Sequence, residues 1–264
     1  MSPWWLLVGL AVFFIGITKS GFGSGMGLLI VPTTALALSH TSYGFEGALG
    51  LLLPLLIVGD MIAVWQYRHL FSLQIVKKLL PATAVGVVIG SVMLWWFGTH
   101  EQKVAEALIK AEIGLESVLL VGLHFYRIWR GQRELYVPKP LHSHLVGGAA
   151  AVSSTMAHAA GPIISLYLLP QRLDRQLFVG TCAIYFGILN NAKLPGYFFA
   201  GQLSWRLFRL SLGMLPLVFV GALAGFWLNK RMTDKIFSNV IFSVTFALGM
   251  YLLYNGLSTL WFVW

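Results

Sequence analysis

Charge is what this sequence has least of. Lys, Arg, Asp and Glu make up 10% of its 264 residues, against roughly 25% in soluble domains. Residues 1–45 carry Lys19 alone, and residues 144–170 and 236–264 carry no charge. A chain that is also 58% hydrophobic excludes a soluble globular protein and reads as an all-α polytopic membrane protein, with no stretch polar enough for a separate soluble domain. Cysteine is nearly missing. The single Cys182 excludes an internal disulfide and a cysteine metal cluster. HExxH, GxSxG and P-loop signatures are absent, which argues against an enzyme and against a nucleotide-driven pump; no cofactor is expected. A lone His142-Ser143-His144 is a weak metal signal. No basic n-region or cleavage site precedes the first apolar run, so the start of the chain reads as mature protein.

Acids are the scarcer charge: 9 Asp and Glu stand against 18 Lys and Arg, a net charge of +9. The excess sits in short segments between apolar runs, as the positive-inside rule expects, and does not point to nucleic acid. These segments are Arg68 to Lys78, a linker with Arg127, Arg130, Arg133 and Lys139, and Lys230 to Lys235. Before, between and after them lie runs at Gly47–Tyr67, Leu79–Phe97, Val104–Tyr126, Gln176–Ala192, Leu210–Asn229 and Ile236–Trp264. They are apolar but for Asp60 in the first and for Glu106, Lys110, Glu112 and Glu116 in the first half of the third, which reads as helical. Glu106 and Lys110 form a favourable i,i+4 pair in the third run. Trp4, Trp5, Trp95, Trp96, Trp205 and Trp261 read as interfacial anchors.

Against this background Lys19 stands out. It lies in Thr18-Lys19-Ser20-Gly21-Phe22-Gly23-Ser24-Gly25-Met26-Gly27, between the short apolar stretches 4–18 and 25–38. A cation at membrane depth is costly and usually marks a function. The glycines argue against a continuous helix, and broken backbone in a bilayer survives only inside protein or along a cavity. An ammonium beside freed N–H groups suits an anion; the alternative is a lysine snorkelling to an interface. The two stretches form either a re-entrant hairpin or one long broken span.

The second half repeats this grammar. Gly25 pairs with Gly161 at a shift of 136; Pro81 pairs with Pro216, and Gly86-xxx-Gly90 with Gly221-xxx-Gly225, each at 135. The expected organisation is a first repeat over 1–130, a basic linker over 131–143 and a second repeat over 144–264. Each repeat is a broken short-helix pair followed by three full spans. Matching interrupted segments point to a transporter site at the repeat interface. The Lys and Arg distribution favours inverted repeats, with Arg172, Arg175, Lys230, Arg231 and Lys235 on one side and Arg206 and Arg209 on the other.

Other candidates follow. Lys193, in Asn190-Asn191-Ala192-Lys193-Leu194-Pro195-Gly196, either lines a polar cavity with the two amides or snorkels outward. If it lines the cavity, Lys19 and Lys193 could meet one anion. His158, at the second break, either binds an anion or relays a proton, or bonds within a helix junction. Thr155 offers a hydroxyl, though in helices such groups often bond the preceding turn. Asp60 is the most embedded acid, a partner for either lysine or a carrier of coupling protons.

These motifs carry a resemblance. KSGFGSGMGLLIVP at 19–32, HAAGPIISLYLL at 158–169 and NNAKLPGYFFAGQLSW at 190–205 resemble the TauE/SafE sulfite-exporter family, also called the 4-toluene sulfonate uptake permease family. The likeness extends over essentially the whole chain, although GSGMG and Ala159-Ala160 stand where adjacent glycines are common. The resemblance implies a secondary transporter, an exporter, of small organosulfur anions such as sulfite, sulfoacetate or related sulfonates across a bacterial inner membrane. Its site would comprise Lys19, Ser20, Gly21, Gly23, Ser24, Gly25, Thr155, His158, Gly161, Asn190, Asn191 and Lys193, with Asp60 in coupling. A carrier of another solute coupled to cations or protons, and an intramembrane enzyme or accessory subunit, are the alternatives. Oligomeric state is open.

Overall fold

The computed structural model describes residues 3–23, 30–44, 47–100 and 137–263, with scattered positions between 107 and 129. Ser24, Gly25, Glu46, the Glu106–Lys110 pair and the arginines of the linker lie outside the described residues. Among those described there is no strand. The helices are α1 (Pro3–Ile17), α2 (Ile30–Ser39), α3 (Gly47–Gln66), α4 (Leu73–His100), α5 (Pro140–Ala157), α6 (Gly161–Leu168), α7 (Arg175–Ala192), α8 (Leu194–Phe199), α9 (Trp205–Arg231) and α10 (Asp234–Val263).

The glycine cluster does not stop the first helix where expected. After Ile17 the backbone widens into a π-helical turn, Thr18–Phe22, before Gly23 leaves the helix at φ +78°. Such turns release backbone groups without ending the helix and recur at functional sites. Pro3–Phe22 is therefore one apolar helix of 20 residues, about 30 Å long and enough to cross a bilayer. Four further described helices qualify by length and composition: Gly47–Gln66, Leu73–Trp96, Arg175–Phe199 and Trp205–Arg231. The runs expected at 79–97 and 210–229 are thus longer, because their helices take in the flanking basic turns. Pro54, Pro81 and Pro216 lie inside helices, where neighbouring helices limit their cost. The outward faces of α4 and α9 expose Val85, Val88, Ile89 and Val92, and Phe219, Val220, Leu223 and Trp227. Apolar surface of that extent belongs in lipid.

Two helical hairpins organise the bundle. α1 packs on α2, and the first turn of α1 meets the exit of α2: Trp4 stacks on His40 at 3.9 Å and Trp5 meets Tyr43 edge-on at 5.8 Å. The short stretches therefore form a hairpin rather than one broken span. The second hairpin starts with Pro140 at the first position of α5. His158 ends α5 in the left-handed region (φ 53°), and Pro162 starts α6. Its open end is tied by Ser143 Oγ to Tyr167 OH at 2.8 Å.

The hairpins enter from opposite ends of the bundle. The first tip lies at the basic end, where Tyr67 OH donates to Ser20 O (2.7 Å) and Asn229 Nδ2 to Gly21 O (2.7 Å). Arg175 joins this end to the last turn of α9 through Asn229 O and Met232 O, and the 68–72 loop joins it through Ser72 N–H to Thr181 Oγ1. Arg68, Arg172, Lys230 and Arg231 flank these contacts. The second tip lies toward the other end, where His158 Nε2 meets Leu49 O at 3.1 Å. Arg206 bonds Ser42 Oγ there at 2.8 Å.

Each hairpin leans on a glycine seam from the other half of the chain. A Cβ on Gly86 would lie 2.5 Å from Gly148 O, and one on Gly221 would lie 2.1 Å from Phe13 O. So α4 packs on α5, α9 packs on α1, and α3 packs on α7 across the centre. Gly221→Ala is expected to lower stability by about 1–3 kcal/mol, because the new methyl meets backbone that cannot yield. Gly213 on the same helix has open space around it, so Gly213→Ala is expected to be neutral or stabilising by up to about 1 kcal/mol. Thermal unfolding in detergent measures both.

Candidate functional site

Between the two tips lies a cavity lined by Thr18, Lys19, Ile30, Val31, Leu56, Ser154, His158, Gly161, Phe186 and Asn190. Five helical segments converge there: the π turn after α1, the start of α2, the tip of the second hairpin, and the facing surfaces of α3 and α7. The π turn is what brings Lys19 to this depth. Its side chain is 7% exposed, and its ammonium lies 2.7 Å from Asp60 Oδ1 and 4.5 Å from the centre of the Phe186 ring. Asp60, fully buried in α3, accepts a second bond at Oδ2 from Asn190 Nδ2 of α7 at 2.5 Å. Lys19 is thus not a lysine snorkelling to an interface.

Lys193 is buried as well, at 0% exposure. It occupies the junction of α7 and α8, where Pro195 starts a new short helix. It does not line the cavity. Its ammonium lies behind the wall and donates to Ser154 O (3.1 Å), Ser154 Oγ (3.0 Å) and His158 Nδ1 (2.9 Å). An ammonium has three protons, and these three acceptors use them all. Because His158 Nδ1 accepts, the ring proton of the neutral imidazole belongs on Nε2, which donates to Leu49 O at 3.1 Å. Tyr197 OH donates to Thr155 O (2.7 Å) and lies 3.4 Å from His158 Nε2. Two lysine amines and one aspartate carboxyl lie in this region, so nitrogen donors outnumber carboxyl acceptors.

The other expected residues are placed as follows. Gly161 lines the cavity at the start of α6. Ser20 and Gly21 lie on the π turn, with their carbonyls bonded as described above; Ser20 Oγ is buried without a hydrogen-bond partner among the described residues. Gly23 packs against Cys182. Thr155 Oγ1 bonds Ala151 O in the preceding turn at 2.8 Å. Asn191 is exposed and bonds Gly187 O, so of the two adjacent amides only Asn190 faces the site. Sequence reasoning passed over Phe186, which carries no polar pattern. It also passed over Tyr197, whose signal was its place just after Lys193-Leu194-Pro195-Gly196.

The model of the sulfite exporter TauE/SafE family matches residues 8–252, a stretch that contains most of the first hairpin, all of the second and every residue lining the cavity. The chain belongs to the TauE/SafE family. Among curated proteins and among solved structures none matches the chain. As a TauE/SafE member it is a multi-pass membrane protein of a transport family, in agreement with its apolar outer faces and the buried charges at its centre.

Proposed function

We propose that the protein is a secondary transporter that exports small organosulfur anions, such as sulfite, sulfoacetate or other sulfonates, across a bacterial inner membrane by alternating access. The observation that carries this reading is a cavity between two oppositely entering hairpin tips, with one ammonium in its wall and a second just behind it. The anion would sit against Lys19, Asn190, His158 and the start of α6 at Gly161, with Ser20, Gly21 and Gly23 shaping the first tip. Lys193 would act from behind, through Ser154 and His158. Asp60 would be the coupling group. It and the substrate compete for the same ammonium, so a proton on Asp60 frees Lys19 for the anion, and departure of the anion restores the ion pair and expels the proton.

The two halves, 1–130 and 144–264 joined by the linker 131–143, would be inverted repeats that move against each other. Supporting this are the opposite entry of the hairpins, the reciprocal glycine seams, and Gly114 and Gly249. Those two glycines stand 135 positions apart, as Pro81 and Pro216 do, and a Cβ on Gly114 would lie 2.7 Å from Gly249 O. The basic residues of one end and Arg206 at the other divide as inverted repeats require.

Flux of radiolabelled sulfite and sulfoacetate in proteoliposomes tests the proposal. The expected result is saturable uptake into vesicles, accelerated by a pH gradient. Flux no faster than in empty vesicles for either anion would reject the substrate assignment, and flux indifferent to the pH gradient would reject proton coupling.

A further inference from the structure

Two buried tyrosines lie outside the cavity, one toward each end of the bundle. Tyr67, 2% exposed at the exit of α3, donates to Ser20 O at 2.7 Å. Tyr197, 0% exposed on α8, donates to Thr155 O at 2.7 Å. Positions 20 and 155 are 135 apart, the shift that separates the matched glycines. Each acceptor is a carbonyl in the last turn of a hairpin's first helix. Both helices thus have a last-turn carbonyl bonded by a tyrosine on the span that follows a hairpin, α3 in one half and α7–α8 in the other. A second bond accompanies each: Asn229 Nδ2 to Gly21 O at the basic end, and His158 Nε2 to Leu49 O at the other.

We propose that Tyr67 and Tyr197 are paired latch residues, one holding each hairpin tip shut, and that transport opens one while the other stays closed. The inference rests on the alternating-access reading above, and it assigns positioning roles to two residues that do not line the cavity. Removing one phenol oxygen biases the protein toward opening at that end alone, a sidedness that general loosening does not produce.

Cys182, packed against Gly23 at the first tip, is a native reporter. In the full-length protein in oriented vesicles, a membrane-impermeant maleimide is applied from the basic end. Tyr67→Phe is expected to raise the labelling rate of Cys182 about fivefold or more, the population shift that one ordinary hydrogen bond supports. Asn229→Leu, which removes the second bond to the same tip, is expected to act in the same direction. Ala159→Cys in a Cys182→Ala background reports on the second tip, where Tyr197→Phe is expected to raise labelling from the opposite end. Each latch variant should leave the other reporter unchanged or slower. Labelling that rises at both ends, at neither, or oppositely for Tyr67→Phe and Asn229→Leu overturns the proposal. Labelling needs no substrate, so a sided switch without sulfonate flux would reject the substrate and keep the latches. Flux without a sided switch would reject the latches and keep the transporter.

Discussion

Replacing Lys19 with alanine is expected to abolish anion flux and to destabilise the protein by about 3–5 kcal/mol, the usual cost of stripping one partner from a buried ion pair. The two effects have different origins and can be separated. Stability falls because Asp60, fully buried, loses the ammonium at 2.7 Å and is left with Asn190 alone, so holding an unpaired charge or taking up a proton there costs free energy. Flux falls because the cavity loses the only Lys or Arg among its described lining residues. A Lys19→Ala, Asp60→Asn double variant removes the stranded charge along with its partner. It is expected to recover most of the lost stability and none of the flux. Thermal unfolding in detergent and proteoliposome flux measure the two quantities. If the double variant transports at the wild-type rate, Lys19 is a structural partner of Asp60 and the site lies elsewhere. If the single variant is as stable as the parent, the ion pair is not the buried contact described here.

Lys193→Ala carries the second large expected effect. Its three acceptors are Ser154 O, Ser154 Oγ and His158 Nδ1, all inside the bundle. An unsatisfied buried polar group costs about 1–3 kcal/mol, and more where a charged donor is lost. A total loss of about 3 kcal/mol or more is therefore expected. The functional signature should differ from that of Lys19. Lys193 holds the second tip and the tautomer of His158 but does not line the cavity, so the maximal rate should fall tenfold or more while the KM for substrate changes less than threefold. Substrate-dependence of flux distinguishes the roles: a large rise in KM at an unchanged maximal rate would make Lys193 a direct ligand. The same measurement on Asn191→Ala, an exposed residue turned away from the site, should give parental values.

Much of this was legible from residues alone because lipid leaves few options. A buried charge in a chain with so few charges has to be solvated by protein, so Lys19, Asp60 and Lys193 could be singled out one by one. The backbone break at His158 was legible because Ala159-Ala160-Gly161-Pro162 cannot continue a helix past the proline without cost. The break after Lys19 was read too strongly. Its glycines lower helix propensity, yet Gly16, Gly21, Gly221 and Gly225 let α1 and α9 approach closely, with Gly21 and Gly225 in direct contact, and that packing carries the helix through the cluster as a π turn.

Partnership was not legible. Four polar groups near one another in composition, Lys19, Asp60, Asn190 and Lys193, allow several pairings, and no pattern states which is made. The sequence by itself determined a multi-pass helical membrane protein and the few charged residues that have to matter. These follow from local chemistry: hydropathy, glycine and proline placement, and the cost of charge in lipid. Only the tertiary structure decided that Lys19 pairs with Asp60 and faces the cavity while Lys193 is spent on Ser154 and His158. It also decided that Asn190 faces in while Asn191 faces out, and that two tyrosines cap equivalent carbonyls. Those outcomes depend on how helices distant in sequence rotate and cross, which is set by packing along their whole length and not by the residues at the site.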